Sequence, residues 1–159
     1  IYRGVITGFN KAFIIDNSIK ERLCEEDSKS IEVIKPILRG RDIYKNYYIW
    51  AKLWMIIIPS GWTNENRGRK SPEAFFKETY PAVYSYLEEI GDKIKRGEIK
   101  AKGKGLYGRD DQGDYWWELR PCRYYNKFIQ PKIIWKEITQ EPSFYYDLSG
   151  DAGIFVLRT

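Results

Sequence analysis

Histidine is the most informative absence, since this chain of 159 residues contains none. Histidine is the commonest general base and metal ligand near neutral pH, and it activates the serine or cysteine of many nucleophilic enzymes. The two cysteines, Cys24 and Cys122, lack the close spacing of a zinc knuckle or a redox CxxC pair. The composition therefore predicts no catalytic residue, no metal site and no bound cofactor within these residues.

Long apolar runs are also missing. No run of about eighteen apolar residues indicates a membrane span, and no charged-then-apolar leader indicates a signal peptide. Because the cysteines show no pairing pattern, we expect them to be reduced, which favours a cytoplasmic protein without a membrane partner. The chain begins with Ile1, so we expect a single domain over residues 1–159 that was excised from a longer polypeptide.

Charge is unevenly distributed along the chain. Lys and Arg number 27 against 22 Asp and Glu, which gives a formal net charge of +5. Residues 93–109 contain seven basic side chains and one acid, whereas residues 16–32 contain six acids and three bases. An excess of this size is compatible with a polyanionic partner without requiring one, and we expect one positive and one negative end of the fold.

The order of apolar patterns predicts an α+β fold with a curved, mostly antiparallel sheet and a central helical segment. Strands are predicted as an opening hairpin and at five later positions: 5–7 and 12–15, then 37–39, 50–58, 131–135, 144–147 and 153–157, with a turn at 149–151. Helices are predicted from their capping residues and first-turn prolines: 18–26 with Asp16 or Ser18 as the cap, from Ser71 and Pro72 onward, and from Tyr80-Pro81 to near Gly97.

A glycine between two arginines is the feature that most favours a nucleic-acid ligand. Arg39 and Arg41 flank Gly40 at the end of an apolar, strand-like stretch. The planar fork of arginine matches phosphate oxygens or the O6/N7 edge of guanine, and glycine allows the backbone to come close to a ligand. The alternative is an ordinary solvated turn in which the arginines pair with Asp42 or with nearby glutamates.

Two polar, glycine-containing segments are predicted to be exposed. Residues 61–70 are expected to form a loop, and residues 99–114 are expected to be disordered alone or ordered only by a ligand. Lysines among glycines at 100–105 suit phosphate contact, although a charge run is often only a solvated linker. Beyond them, residues 109–112 (Arg-Asp-Asp-Gln) offer donors and acceptors that could read base edges.

Four blocks in order resemble one protein family. They are Gly4-Val5-Ile6-Thr7-Gly8 with Asn10 and Ala12-Phe13, residues 34–43, Trp116-Trp117-Glu118-Leu119-Arg120, and residues 131–138. Together they are similar to the TaqI-like C-terminal specificity domain, which is the target recognition domain of adenine-N6 DNA methyltransferases and of type IIG restriction-modification enzymes. The similarity spans nearly the whole chain.

The resemblance implies a target-recognition-domain-like fold and sequence-specific binding of duplex DNA, with no enzyme activity in this fragment itself. In such enzymes the partner is an intramolecular methyltransferase domain, which holds S-adenosylmethionine and an Asn-Pro-Pro-Tyr motif that this sequence lacks. A fused nuclease would add Mg²⁺. The methyltransferase would flip its adenine out of the stack while this domain grips the duplex.

The resemblance also divides the expected roles among the residues. The family shares the arginine block while its members read different sequences, which implies phosphate grip or domain docking for that block. Base reading is then expected from loops at 64–70 and 102–112. The expected DNA contacts are basic residues of these segments and of the later blocks, with two weaker additions from the first turn: Arg39, Arg41, Lys45, Lys102, Lys104, Arg109, Arg120 and Lys132, then Asn10 and Lys11.

Aromatic residues carry a further set of expectations. Of the adjacent Trp116 and Trp117, we expect one in the core and one partly exposed, rather than a base-stacking platform. Trp135 is expected in the core. Lys132 and Lys136, on the strand face opposite Ile133, are expected to face solvent as candidates for contact with the DNA backbone.

Two competing interpretations stay open. The aromatic content of 16% suits a non-catalytic carbohydrate- or protein-interaction module with an aromatic platform. Asp92, Glu98 and Lys100 match the short pattern of a metal-dependent nuclease. This match falls at a helix end that runs into a glycine loop, where carboxylates are poorly fixed around a metal.

Overall fold

The computed structural model describes residues 4–101, 103–136 and 141–148, and the backbone of residues 155–157. Its helices are α1 (Asn10–Phe13), α2 (Asn17–Glu26), α3 (Trp62–Asn66), α4 (Pro72–Thr79) and α5 (Pro81–Lys95). Its strands are β1 (Ile14–Ile15), β2 (Ile34–Arg39), β3 (Trp54–Ile56), β4 (Lys132–Trp135), β5 (Phe144–Asp147) and β6 (Phe155–Leu157). Single 3₁₀ turns occur at Ser28–Glu32, Gly40–Asp42 and Tyr125–Lys127. The predicted α+β class is confirmed.

The described strands form two separate sheets. The larger has the order β1-β3-β2-β6, in which β3 pairs antiparallel with β1 and β2, and β6 lies parallel to β2. β4 and β5 form a two-stranded antiparallel ribbon, with Lys132 opposite Asp147 and Trp135 opposite Phe144. The pairing is therefore mostly antiparallel, as predicted, but it is divided between two small sheets.

Local sequence signals place the three longest helices. Asp16 Oδ1 accepts a hydrogen bond from the Ile19 backbone N–H at 2.9 Å, which caps the start of α2. Helices α4 and α5 both begin with proline, whose missing N–H has no partner to lose in a first turn. Val83, Leu87 and Ile90 recur at helical spacing on the buried side of α5. All three predicted helices are confirmed.

The main core combines the four-stranded sheet with α1, α4 and α5. Its largest members are almost fully buried apolar side chains: Phe13, Ile15, Ile34, Ile37, Met55, Ile56, Phe76 and Leu87. Burying each such side chain contributes about 1.5–3 kcal/mol. A second, smaller cluster of Leu38, Ile43 and Ile134 joins the end of β2 to the ribbon.

The predicted opening hairpin is wrong. Residues 10–13 form α1, and Ile14-Ile15 pair with β3 instead of with residues 5–7. Thr7 Oγ1 donates to Asn10 Oδ1 at 2.6 Å, a local bond that favours a turn over a strand. The run Ala12 to Ile15 is apolar throughout, so it has no periodicity that separates helix from strand.

The other differences concern lengths and loops. The strand predicted at 50–58 is limited to Trp54–Ile56, because Lys52 adopts a left-handed conformation with φ 54° that interrupts the extended backbone. The loop predicted at 61–70 contains α3. The predicted turn at 149–151 lies outside the described residues, and of the strand predicted at 153–157 the described part is β6.

Residues 99–101 and 103–114 are held by the protein itself, so the expectation that this segment needs a ligand for order is wrong. Leu106 is buried in the main core. Tyr107 packs directly on α5 at Gly91, where a Cβ would collide with its hydroxyl. Within the described ranges, no helix is both long and apolar enough to cross a membrane.

Candidate nucleic-acid interface

The arginine turn at the end of β2 is closed by an internal ion pair. Arg39 donates from Nε and Nη2 to the Asp42 carboxylate at 3.0 and 2.7 Å, and its backbone N–H donates to the same carboxylate at 2.9 Å. The hydrogen bond to Asp42 raises the pKa of Arg39. Burial raises the pKa of Asp42, but the bonds from Arg39 outweigh it and leave that pKa below its usual value. Arg39 therefore shapes the turn, and its contact with DNA stays a prediction.

Arg41 and Lys45, by contrast, are exposed, and neither forms an ion pair with another residue in the described ranges. Lys45 lies on a small hairpin in which Ile43 pairs with Tyr48 and the Tyr44 N–H donates to the Tyr47 carbonyl at 2.9 Å, and Arg41 lies in the 3₁₀ turn just before it. The tip of this hairpin is fixed to the ribbon, because the Asn46 N–H donates to the Phe144 carbonyl at 2.8 Å. Lys45 is thus held close to β5, and Arg41 follows Gly40, which lies near Lys136 at the end of β4.

The inner face of the ribbon carries a buried ion pair. Lys132 Nζ donates to Asp147 Oδ2 at 2.6 Å, and the two side chains are 14% and 3% exposed. Ile134 and Tyr145 share this face and pack against the cluster that contains Leu38. Lys132 therefore neutralises an internal carboxylate, and its contact with DNA stays a prediction.

The outer face of the ribbon is apolar and exposed. Its side chains form two cross-strand pairs, Ile133 with Tyr146 and Trp135 with Phe144. Trp135 is 44% exposed and Tyr146 is 53% exposed. We call Ile133, Trp135, Phe144 and Tyr146 the ribbon platform. Side chains of β4 alternate between two faces as predicted, but the face that was expected to be buried is the exposed one. The expectations of a core Trp135 and a solvent-facing Lys132 are therefore wrong.

Arg109 is a structural residue. It is 5% exposed, and its guanidinium lies over the Phe13 ring at 4.4 Å from the ring centroid. It donates to the backbone carbonyls of Thr7 (2.8 Å), Leu106 (3.2 Å), Trp116 and Glu118, which belong to distant parts of the chain. Burial lowers the pKa of Arg109 to about 10. Since all of its donors face inward, its expected role as a base reader is wrong.

Glu118 is a second buried charged residue, and it fastens two loops to each other. Its carboxylate is fully buried and accepts the backbone N–H groups of Gly61 (3.1 Å), Thr63 (2.9 Å) and Asp114 (2.9 Å). The neighbouring Trp117 donates from Nε1 to Thr63 Oγ1 at 2.9 Å. The loops at 61–70 and 103–114 are thereby placed side by side, and with them most of the segments 64–70 and 102–112 from which base reading is expected.

Polar side-chain contacts also join these two loops at the surface. Asn64 Nδ2 donates to Asp114 Oδ2 at 2.9 Å, and the Tyr115 hydroxyl donates to Asn64 Oδ1 at 2.8 Å. On the other side, Lys11 Nζ donates to the Lys100 carbonyl at 3.2 Å. The first turn of the chain thus adjoins the same group of loops.

Four of the expected contacts are exposed on this group of loops: Asn10, Lys11, Lys104 and Arg120. Arg120 donates to Asp111 Oδ1 at 3.2 Å, and Lys104 lies 3.9 Å from an Asp110 oxygen. Exposed pairs of this kind are weak and exchange readily. Lys102 lies outside the described residues. We call residues 8–11, 61–70, 100–101, 103–114 and Arg120 the loop surface.

The structure also bears on two other expectations, the division of the adjacent tryptophans between core and surface and the short acidic pattern of a nuclease. Trp117 is 2% exposed and stacks on Phe76, whereas Trp116 is partly exposed, which confirms the expected division of that pair. Asp92 receives a bond from Lys95 at 3.0 Å, and Glu98 receives one from Arg96 at 2.5 Å. Across the described ranges, no group of three or more His, Cys, Asp or Glu residues could hold a metal.

Sequence reasoning missed the role of Glu118 and the ribbon platform. Nothing in the sequence marks a buried glutamate, because an exposed glutamate has the same local pattern. The ribbon did carry a signal, since Lys132 and Asp147 fall opposite each other once β4 and β5 are paired. An opposite-charge pair of this kind could have indicated which face is turned inward.

No protein-family model matches the chain, and no curated protein matches it.

Proposed function

We propose that this chain binds duplex DNA in a sequence-specific manner, as the target recognition domain of a type IIG restriction enzyme or adenine-N6 DNA methyltransferase. The loop surface is the contact in this proposal. Methyl transfer, with its S-adenosylmethionine, and any Mg²⁺-dependent cleavage belong to other parts of such an enzyme. The intramolecular partner is the methyltransferase domain.

The observation that carries the proposal is the fastening of two polar loops by Glu118. A sequence reader needs donors and acceptors fixed in position before the DNA arrives, because base edges are distinguished by the geometry of their hydrogen bonds. Glu118 and Arg109 fix the backbone of residues 61–63 and 106–118 from inside the fold. The outward side chains of the same loops are left to face a ligand.

The side chains of the loop surface divide into two chemical groups. Lys11, Lys104 and Arg120 are cations that suit phosphate oxygens, whose neutralisation releases counterions. Arg69 is an exposed group that suits a base edge, since a guanidinium matches guanine, whereas the amide of Asn64 is already bonded to Asp114 and Tyr115. Phosphate contacts then set the position of the domain, and the loop side chains select the sequence.

The test begins with selection of duplexes from a randomised pool by the full chain. Affinity for the enriched duplex is then measured by fluorescence anisotropy over a range of salt concentrations. We expect log affinity to fall linearly with log salt, and Lys104→Ala to reduce the slope by about 1. Lys29→Ala, at an exposed lysine on the acidic Ser28–Glu32 turn, is the matched control. No enrichment together with a flat salt response would contradict the proposal.

A second candidate is a carbohydrate- or protein-interaction module, and the exposure of the ribbon platform is the observation that favours it. A sugar or an apolar protein surface would bind there largely through stacking and burial. Such binding changes little with salt, so the same titration separates the two candidates.

A further inference from the structure

We propose that the ribbon platform binds unpaired nucleotides of single-stranded DNA, with bases stacked on its aromatic rings and phosphates near Arg41 and Lys45. The inference shares with the proposed function only the choice of DNA as ligand, since it uses a different surface. The two can therefore fail separately.

The platform has the composition and regularity of a stacking surface. Trp135 and Phe144 form one cross-strand pair, and Ile133 and Tyr146 form the next pair on the same face. Rows of side chains on one face of a strand are two residues apart, or about 6.7 Å. This spacing is about twice the 3.4 Å rise per base of one strand in a duplex. The rows therefore suit bases that have been drawn apart.

A DNA duplex offers these aromatic side chains no base face on which to stack. Paired bases present only their edges in the grooves, whereas an aromatic side chain gains most from the face of another ring. Unpaired bases expose their faces, and each base stacked on an aromatic side chain strengthens binding without regard to sequence. The platform thus favours a single strand over a double helix.

The described charges around the platform favour a polyanion. Lys45 directly precedes Asn46, whose N–H is bonded to the Phe144 carbonyl at 2.8 Å, so the lysine lies within a side chain's length of the ribbon. Arg41 follows Gly40, where a Cβ would stand 4.0 Å from Lys136 Cγ. The carboxylate of β5, Asp147, faces inward and is neutralised by Lys132.

One described acid, Glu141, precedes Phe144 by three residues and so lies at the same end of the ribbon as Lys45 and Arg41. A partner with a strongly acidic rim and an apolar centre is the protein alternative for this surface. A single nucleic-acid strand supplies both requirements in one chemical unit, because every nucleotide joins a ring to an anionic phosphate. We therefore argue for the strand and treat the protein partner as an outcome of the test.

The test uses the full chain and a fluorescein-labelled oligothymidylate of roughly ten nucleotides, within the range that aromatic grooves of single-strand binders cover. Fluorescence anisotropy gives the affinity. We expect Trp135→Ala to weaken binding by roughly 5- to 150-fold, in line with the loss of one stacked base. Trp135→Tyr should restore most of the affinity, because it restores a ring of similar position.

Two controls separate stacking from general damage. Ile31→Ala removes another exposed apolar side chain, on the Ser28–Glu32 turn before β2, and should leave the affinity unchanged. Lys104→Ala, on the loop surface, should weaken duplex binding while leaving oligothymidylate binding unchanged. Failure of the wild-type chain to bind a duplex would contradict the proposed function but not this inference.

The inference is overturned if the wild-type chain does not bind oligothymidylate, or if Trp135→Ala binds it as well as the wild type does. It is also overturned if the chain self-associates through this face. In that case, sedimentation velocity would show an oligomer of the wild type that Trp135→Ala dissociates, with no gain in anisotropy on adding the oligonucleotide.

Discussion

The loop surface is polar on its outside and is held from within by two buried charged residues, Arg109 and Glu118. The ribbon platform is apolar on its outside and has its ion pair, Lys132 with Asp147, on the buried side. Buried charges thus serve the structure in both regions, and the regions differ in their outward side chains, which are polar in one and apolar in the other. The comparison shows that the number of charges in a segment says little about its ligand, because packing decides which charges reach the surface.

The basic residues divide accordingly. Arg39, Arg109 and Lys132 satisfy carboxylates or backbone carbonyls inside the fold. Lys104 and Arg120 are exposed on the loop surface, and Arg41 and Lys45 are exposed beside the ribbon. A buried cation without its partners would be costly, so the inward group is required for stability and the outward group is available for binding.

Arg109→Ala should have the largest effect and would break the loop surface. The change leaves buried carbonyls without donors and removes the packing on Phe13, so we expect a loss of about 3–5 kcal/mol in the free energy of unfolding. Urea denaturation followed by far-ultraviolet circular dichroism measures it. Arg109→Lys keeps a charge but not the planar fork, so its free energy of unfolding should lie between those of the wild type and Arg109→Ala. A loss below about 1 kcal/mol would contradict the internal role.

Glu118→Ala should rank next, with a loss of about 2–4 kcal/mol, because three backbone N–H groups lose a buried acceptor. Hydrogen exchange should accelerate most at Gly61, Thr63 and Asp114. Glu65→Ala, at an exposed glutamate of α3, is the matched control and should change neither quantity. Uniform acceleration over the whole chain would mean that Glu118 does not act on these loops in particular.

Asp42→Asn should cost about 2 kcal/mol, since it removes the charge that Arg39 pairs with. The wild-type pKa of Asp42 is lowered, so the unfolded chain binds the proton first as the pH falls. The contribution of this carboxylate is therefore complete above its unfolded pKa, near 3.9, and is lost on acidification through the folded value. Urea titrations from pH 6 to pH 2 should show a shallower acid dependence for the variant. Equal slopes would contradict the pairing.

Trp135→Ala should have the smallest effect on stability, within about 0.5 kcal/mol, because its side chain lies on the outer face of the ribbon. The prediction sharpens the comparison, since the same substitution is expected to weaken binding of single-stranded DNA. Thermal and urea unfolding measure the stability of Trp135→Ala and compare it with that of Trp117→Ala. Trp117 is buried, so its loss should cost several kcal/mol. A large loss for Trp135→Ala would make the platform part of the core.

Sequence reasoning recovered what is decided locally. Asp16 as a cap, Pro72 and Pro81 as first-turn residues, and the apolar spacing along α5 each act over a few residues, so α2, α4 and α5 could be predicted. The opening hairpin could not, because a short run of apolar residues suits either a helix or a strand.

The candidate site was less predictable because its key contacts join distant parts of the chain. Arg109 bonds to Thr7, and Glu118 bonds to Gly61, and neither pairing has a mark in the local sequence. For the ribbon, apolar residues occupy both faces of β4 and β5, so alternation alone could not show which face is buried. The exposed positions of Arg41, Lys45, Lys104 and Arg120 agree with the expectation that they are available for contact.

The central claim, that the loop surface is the contact for duplex DNA, is tested most directly by amide chemical shifts of the full chain during titration with a selected duplex. We expect changes concentrated at residues 8–11, 61–70 and 103–114, with little change at Ile133, Trp135, Phe144 and Tyr146. Shifts confined to the ribbon, or no saturable shifts in these loops, would contradict the account.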